Sequence, residues 1–249
     1  MYIPHLEVSQ VRNLKSLKTD CHPLANIIYG VNGSGKTSLL EAIYLLGRGR
    51  SFRHRDLRLV VNHQAEELVV SAKIEKGMPA KVHQMGVRRT SSGKFAARFD
   101  RKTLQSSVQL ASELPLQLID AHSFNLLEGG PSQRRQFLDW GVFHVEQTYG
   151  DVWKRFQKAL KQRNQLLRHG RIEEESLSAW TAELVPLSEQ VSRLRDKYLS
   201  GLVKHVREVA RLFDGLGSLD IEYYQGWSAE TALAEVMSGD KKRDFSVGT

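Results

Sequence analysis

GVNGSGKT, from Gly30 to Thr37, is the stretch that decides the reading of this 249-residue chain. Gly30, Gly33 and Gly35 suit the positive-φ or closely approached backbone that turns successive N–H groups inward, and the helix they lead into points its positive end at the same anion. The backbone of Gly30, Val31, Asn32, Gly33, Ser34 and Gly35 is thereby expected to cradle a β-phosphate. Lys36 would reach the β- and γ-phosphates as a mobile charge, and the Thr37 hydroxyl would supply one oxygen ligand to Mg²⁺. ATP with Mg²⁺ is the cofactor this loop calls for. The flanks fit a strand, loop and helix: LANIIYG, Leu24 to Gly30, is an apolar run suited to a buried strand, and SLLEAIYLL, Ser38 to Leu46, repeats apolar residues at helical spacing. A second Gly-Lys pair, Gly93 and Lys94 in SSGK, lacks the upstream glycine and the following hydroxyl and reads as a hairpin turn.

Outward from the loop, the first residues read as strand, turn and strand, the opening of an α/β nucleotide-binding unit. ELVVSAKIE then places Leu68, Val70, Ala72 and Ile74 on one side at period two, and KVHQMGVRR and KFAARF follow across breaks rich in glycine, proline and serine. That pattern predicts an antiparallel meander. Leu116 to Ile119 predicts one more short strand, and Pro131 starts a helix at the first-turn position proline favours. Two helical arms follow, about Asp151 to Arg168 and from near Ser176, with a break around Gly170. Along the second arm Trp180, Leu184, Leu187, Val191, Leu194 and Tyr198 alternate four and three apart, which fits a coiled-coil seam and fits equally a helix packed on a domain core. Pro186 should kink that arm or start it. The expected organisation is 1–145 as a phosphate-loop lobe with the meander, 146–215 as a helical hairpin arm, and 216–249 as the start of a return to the first lobe.

The chain has 41% hydrophobic and 26% charged residues, ordinary globular material for one large or two small domains. Its single cysteine, Cys21, cannot form an internal disulfide, and neither a long apolar run nor a basic, apolar leader is present, so a cytoplasmic protein without membrane attachment is expected. The net charge of +8 favours a polyanionic partner. Positive charge is also clustered. Arg48, Arg50, Arg53, Arg55 and Arg58 face only Asp56 after the phosphate-loop helix, and a second group from Lys81 to Lys102 surrounds the meander. The third runs from Lys154 to Arg171, with no acid between Val152 and Ile172. There Trp153, Phe156, Leu160 and Leu167 recur at helical spacing and leave Lys154, Arg155, Lys158, Lys161 and Arg168 on the other surface. Any one group suits a solvated surface; three together favour DNA, with Arg53, Arg55, Lys154, Lys158 and Lys161 as candidate contacts.

Between Leu126 and Asp139 the chain reads LLEGGPSQRRQFLD, which is similar to a signature of the RecF family of bacterial recombination mediators. VRNL at Val11, NGSGKTSLLEAIYLLGRGRSFR from Asn32 and FLDWGVFH from Phe137 also resemble that family, so the likeness covers nearly the full chain. The family signature begins with proline and an acid, where this chain has Ala121 and His122. The resemblance implies an α/β fold, an ABC-type, SMC-like P-loop ATPase head with an inserted helical arm lobe. It also implies an ATP-dependent homodimer in the full-length family, with RecR and RecO as partners. The implied role is in DNA replication, recombinational repair and the SOS response to DNA damage, on single-stranded and linear double-stranded DNA. By the same mapping Arg12 and Asn13 would lie near the base or ribose.

No LSxGQ-like signature occurs, since LSAW at Leu177 and LSEQ at Leu187 lack its glycine, and no run of aliphatics ends in two acids. LQLID, Leu116 to Asp120, is interrupted by Gln117 and followed by Ala121. The chain therefore reads as an N-terminal portion, expected to bind ATP without turnover, because Mg²⁺ lacks the acid that would hold it through water and no carboxylate orients the attacking water. Another SMC-like P-loop ATPase, defence- or chromosome-associated, and a hydrolysis-dead remnant are the alternatives, with a small metabolic kinase more distant.

Overall fold

The alternation in ELVVSAKIE sets the architecture of the computed structural model, which describes residues 1–168, 174–216 and 219–239. β1 (Tyr2–Val11), β2 (Leu14–Asp20), β3 (Glu67–Lys76), β4 (Lys81–Thr90), β5 (Phe95–Phe99) and β6 (Lys102–Leu104) form one antiparallel sheet in the order β2-β1-β3-β4-β5-β6. Leu6 and Val8 of β1 pair with Ala72 and Val70 of β3, which pair in turn with Met85 and Val87 of β4. Those side chains and Leu68, Ile74, Ala97 and Phe99 share one face and are buried, while Val69, Lys73, Arg88 and Arg98 alternate onto the other and are exposed. The buried face is covered by α1 (Lys36–Arg48), through Ala42, Leu45 and Leu46, and by α2 (Ser107–Glu113), through Leu110. Each large aliphatic side chain buried in this way stabilises the fold by about 1.5–3 kcal/mol. The SSGK turn is as expected: Gly93 has φ +99 and its N–H donates to the Thr90 carbonyl at 3.0 Å.

Two expected strands are not strands. Leu24 to Gly30 forms no strand, and no strand among the described residues pairs with it to take its N–H and C=O groups. Leu24 and Tyr29 are each 89% exposed, so an apolar run alone did not make a buried strand. A local turn closes the preceding corner, where the His22 N–H donates to Asn26 Oδ1 at 2.8 Å and Asn26 Nδ2 donates to the His22 carbonyl at 2.9 Å. Leu116 to Ile119 likewise pairs with no strand. Its Leu116 side chain instead packs against α1 at Gly47, where a Cβ would come within 2.5 Å of Leu116 Cδ1.

The chain divides into two compact units, the first Met1–Asp120 and the second beginning at Ala121. That boundary falls earlier than the expected 145/146, because the helix begun by Pro131 packs on the helical arms. The second unit contains one turn of helix α3 (Asn125–Glu128), then α4 (Pro131–Val145), α5 (Tyr149–Arg168), α6 (Glu174–Ala210) and α7 (Leu233–Gly239). α5 and α6 pack through Ala159, Leu184 and Leu187, with Phe156, Leu160 and Trp180 against them. Val191, Leu194 and Tyr198 continue the stripe against Val142 and Tyr149. The helix runs through Pro186 and does not start there, and Val209 and Phe213, at its end and just beyond, are more than half exposed. The break expected around Gly170 lies outside the described residues. Among those residues no helix is long and apolar enough to cross a membrane.

One polar knot joins three of these helices. Asp139 on α4 accepts from Trp153 Nε1 at 3.2 Å and Arg195 Nε at 2.7 Å, and from the Tyr149 hydroxyl. Burial, with Asp139 beside it, holds the Tyr149 phenol well above its ordinary value; burial works against the Arg195 cation, but Asp139 outweighs it and keeps the charge. Close to it α4 and α6 meet at Gly141, where a Cβ would lie 2.2–2.5 Å from the Tyr198 ring. Gly141→Ala should therefore destabilise the protein by about 1–3 kcal/mol, read as a lower denaturation midpoint. The same change should cost clearly less in a Tyr198→Ala background, which removes the ring it strikes.

Candidate nucleotide-binding site

The loop from Gly30 to Thr37 is an open turn on the N-terminus of α1. Gly30, Gly33 and Gly35 have φ of +151, +82 and +101. A Cβ at Gly35 would come within 2.5 Å of Leu14 Cδ2, so two requirements, the left-handed backbone and the close approach of β2, both fix glycine there. Gly35 caps α1 without a side-chain hydrogen bond, and no acid lies in the first helical turn. The first N–H groups of the helix are thus left for an anion. Lys36 lies across the loop, its Nζ donating to the carbonyls of Gly30 at 2.8 Å and Val31 at 2.9 Å. The ammonium is held over the place a phosphate would take and can exchange two carbonyl oxygens for phosphate oxygens. These residues fit a nucleoside triphosphate: bound there, it would supply the charge that Lys36, the glycine amides and the helix end are arranged to meet. Thr37 stands at the start of the helix, where its hydroxyl could bind the accompanying Mg²⁺.

The loop is held from behind by the two-residue turn between β1 and β2. Arg12 takes φ +54, uncommon for a residue with a Cβ, and is fixed from several sides. Its N–H donates to the Val60 carbonyl at 2.8 Å, its carbonyl accepts from Asn62 Nδ2 at 2.7 Å, and its guanidinium reaches the Leu59 carbonyl at 2.7 Å. Asn13 bridges outward: Nδ2 donates to the Gly33 carbonyl at 2.7 Å and Oδ1 accepts from Ser38 Oγ at 2.8 Å. Of the two residues expected beside a base or ribose, Asn13 touches the phosphate loop at Gly33, and Arg12 holds the turn that carries Asn13.

Glu41 completes the support, and the sequence reading had passed over it. This carboxylate of α1 is 0% exposed and takes both forks of Arg12 at 2.9 Å, with the Ser51 hydroxyl also donating to it and Arg53 at 3.9 Å. Burial alone would raise its pKa, but the hydrogen bonds from Arg12 and Ser51 and the charges of Arg12 and Arg53 outweigh it and hold the carboxyl below its ordinary value. Ser51 Oγ also accepts from the N–H groups of Arg53 and His54 at 2.9 and 3.1 Å. The signal was legible as a lone acid on the apolar stripe of SLLEAIYLL.

The candidate DNA contacts lie in both units. In the first, Arg58 is engaged by Asp56, whose carboxyl is pulled down to about 2 by the Arg58 guanidinium and then by the Arg58 N–H. Arg48 is turned inward, donating to the Leu116 carbonyl at 3.1 Å. Arg53 and Arg55 are exposed, Arg53 near Glu41. In the second unit Lys154, Lys158 and Lys161 are exposed along one side of α5, with Lys154 3.4 Å from Asp151 and Lys158 5.9 Å from the Trp180 ring. Arg163, within the basic stretch from Lys154, is 3% exposed and bonds to Thr181.

A sheet-backed phosphate loop on an uncapped helix, in a chain that also holds a long helical pair, defines a P-loop ATPase head of the SMC kind. A family model for the RecF/RecN/SMC N-terminal domain matches residues 2–242. The chain is 44% identical over 248 residues to the DNA replication and repair protein RecF of Azotobacter vinelandii, covering 100% of this chain and 68% of that one. It is 41% identical over 250 residues to the RecF of Marinomonas sp. strain MWYL1, covering 67% of it. The fold matches that of a recombination mediator RecF–ATP structure of the RecFOR pathway with a TM-score of 0.83, at 22% identity, over 100% of this chain and 69% of the other. The chain belongs to the RecF family and spans about two thirds of the length of these relatives.

Glu41→Gln should leave the Arg12 guanidinium without its counter-charge and cost about 3–5 kcal/mol in stability at pH 7. Because the folded carboxyl lies below its ordinary value of 4.5, its contribution is complete above that value and fades as pH falls through the lower folded one. Denaturation midpoints of the two proteins, measured from pH 7 to pH 3, should therefore converge toward acid; a constant gap would contradict the assignment.

Proposed function

We propose that this chain is the nucleotide- and DNA-binding head of a protein acting in DNA replication, recombinational repair and SOS induction, with ATP gating its hold on single-stranded and linear double-stranded DNA. The observation that most supports this reading is the phosphate loop itself: Lys36 lies over the Gly30 and Val31 carbonyls, and Asn13 braces Gly33 from behind. Gly30, Val31, Asn32, Gly33, Ser34, Gly35, Lys36 and Thr37 would hold ATP, and Thr37 the Mg²⁺. The RecF relatives are DNA replication and repair proteins, and a RecF structure of the RecFOR pathway is that of RecF–ATP, which supports carrying both to this chain. An ATP-dependent homodimer, a cytoplasmic location and RecR and RecO as partners belong to this reading for the whole protein.

DNA would meet Arg53 and Arg55 in the first unit and Lys154, Lys158 and Lys161 in the second. Phosphate contacts of this sort release counterions, so affinity should fall steeply with salt, by roughly 0.9 in log affinity per log salt for each phosphate neutralised. Replacing Lys154, Lys158 and Lys161 together with alanine should lower that slope by about one for each lysine that meets a phosphate. Anisotropy titrations of single-stranded and linear double-stranded oligonucleotides across salt concentrations measure it, and affinity insensitive to salt would remove the DNA reading.

For ATP, the 249 residues hold the cradle and the Thr37 ligand but no aliphatic run closed by paired acids to position a water. The recombinant 249-residue chain should bind a fluorescent ATP analogue, lose most of that binding in Lys36→Ala, and turn over ATP no faster than the variant. Lys36-dependent turnover would show that another carboxylate of this chain does the missing work.

A further inference from the structure

For a chain of net charge +8, the second unit holds a cavity of opposite character. About 650 Å³ in volume, it lies between α6 and the segment 223–233. α6 supplies Glu189 and Asp196, the facing segment supplies Glu230, and Arg193 is the one cation on the wall. None of the three carboxylates has an ion-pair partner among the described residues. Tyr223, Tyr224 and Trp227 add three aromatic side chains to a wall otherwise of small polar and aliphatic residues, and Tyr224 is 81% exposed. Ser192 also lines the cavity, at 7% exposure.

Carboxylates and aromatic faces attract the same class of ligand. Both draw cations, the ring through its quadrupole, and both repel the phosphates of nucleic acid and nucleotide. A planar guanidinium suits the combination best, since it stacks on rings and forks onto carboxylates. The volume is that of a ligand cleft and admits such a head together with the residues on either side of it. We propose that this cavity receives an arginine side chain from a basic segment of a partner protein, seated between the aromatic wall and the three carboxylates. Its occupation does not require ATP or DNA.

The test is fluorine NMR on the 249-residue chain labelled with 5-fluorotryptophan, whose four tryptophans give four lines, that of Trp227 being identified with Trp227→Phe. Titration with acetyl-hexaarginine amide should shift the Trp227 line saturably, and the uncharged citrulline hexapeptide should not. Glu189→Gln, Asp196→Asn and Glu230→Gln combined should weaken the response about tenfold. Arg193→Gln, which removes the competing cation, should strengthen it several-fold, an effect that a damaged fold would not produce. If the triple variant fails to fold, judged by the lines of the other tryptophans, the Arg193→Gln arm decides alone. A Trp227 line that stays still with the arginine peptide, or moves equally with the citrulline peptide or with a DNA oligonucleotide, would overturn the proposal. So would an Arg193→Gln variant that binds no more tightly.

Discussion

A carboxylate with no solvent exposure lies under the nucleotide loop, and the geometry above it depends on how that charge is satisfied. Glu41 could not be buried alone at any acceptable cost. It is tolerated because Arg12 approaches it with both forks and Ser51 adds a third donor. That requirement fixes the direction of the Arg12 side chain, and Arg12 in turn stands at φ +54 in a two-residue turn. The turn places Asn13 against the Gly33 carbonyl and Ser38. The shape of the phosphate loop is therefore set from below by an ion pair that has no part in phosphate chemistry. Ser51 carries the same constraint onward, since its hydroxyl also holds the backbone of Arg53 and His54.

Asp139 solves the same problem in the second unit. Tyr149, Trp153 and Arg195 come from two other helices and converge on one acid of α4, so that helix cannot turn about its axis without unpairing several buried groups at once. The segment leading to it is built to deliver that acid. Gly129 has no room for a Cβ, which would sit 2.3 Å from the Asn125 carbonyl oxygen, Pro131 starts α4 where a missing N–H costs nothing, and Arg134 donates to the Gly129 carbonyl at 2.9 Å. The family-like run from Leu126 to Asp139 is, on these contacts, a turn and a helix start that end in an anchor.

What the sequence made legible followed from periodicity and from backbone chemistry. Leu68, Val70, Ala72 and Ile74 have one possible common face, and the structure buries all four. Gly35, Gly93 and Pro131 each answer a local backbone demand, and each stands where that demand arises. The stripe from Leu184 to Val191 was readable for the same reason. Leu24 to Gly30 and Leu116 to Ile119 misled because hydrophobicity reports that a segment suits burial, whereas a strand also needs a neighbour at hydrogen-bonding distance. Glu41 was missed because a single acid within an apolar helix gives no hint of its partners, which come from residues 12 and 51 and meet it only in the fold. The early domain boundary belongs to the same class, since α4 is assigned by what it packs on and not by its own pattern.

Counting charge along the chain overstates what a polyanion would meet, and the structure supplies the correction. Arg12 is used on Glu41, Arg58 on Asp56, Arg195 on Asp139, and Arg163 is buried against Thr181. Such cations are neutralised or shielded before any partner arrives, and their contribution to long-range attraction is correspondingly small. Lys158 and Lys161 differ: they stand exposed on α5, whose only acid, Asp151, is 3.4 Å from Lys154. Part of the field that remains lies where the stripe of Trp153, Phe156 and Leu160 turns inward and forces the lysines outward. Amphipathic packing of one helix thus creates both the core of the second unit and its basic surface. A substitution that rotated α5 would disturb the two together, and this links the stability of the helical pair to whatever anion its outer face meets.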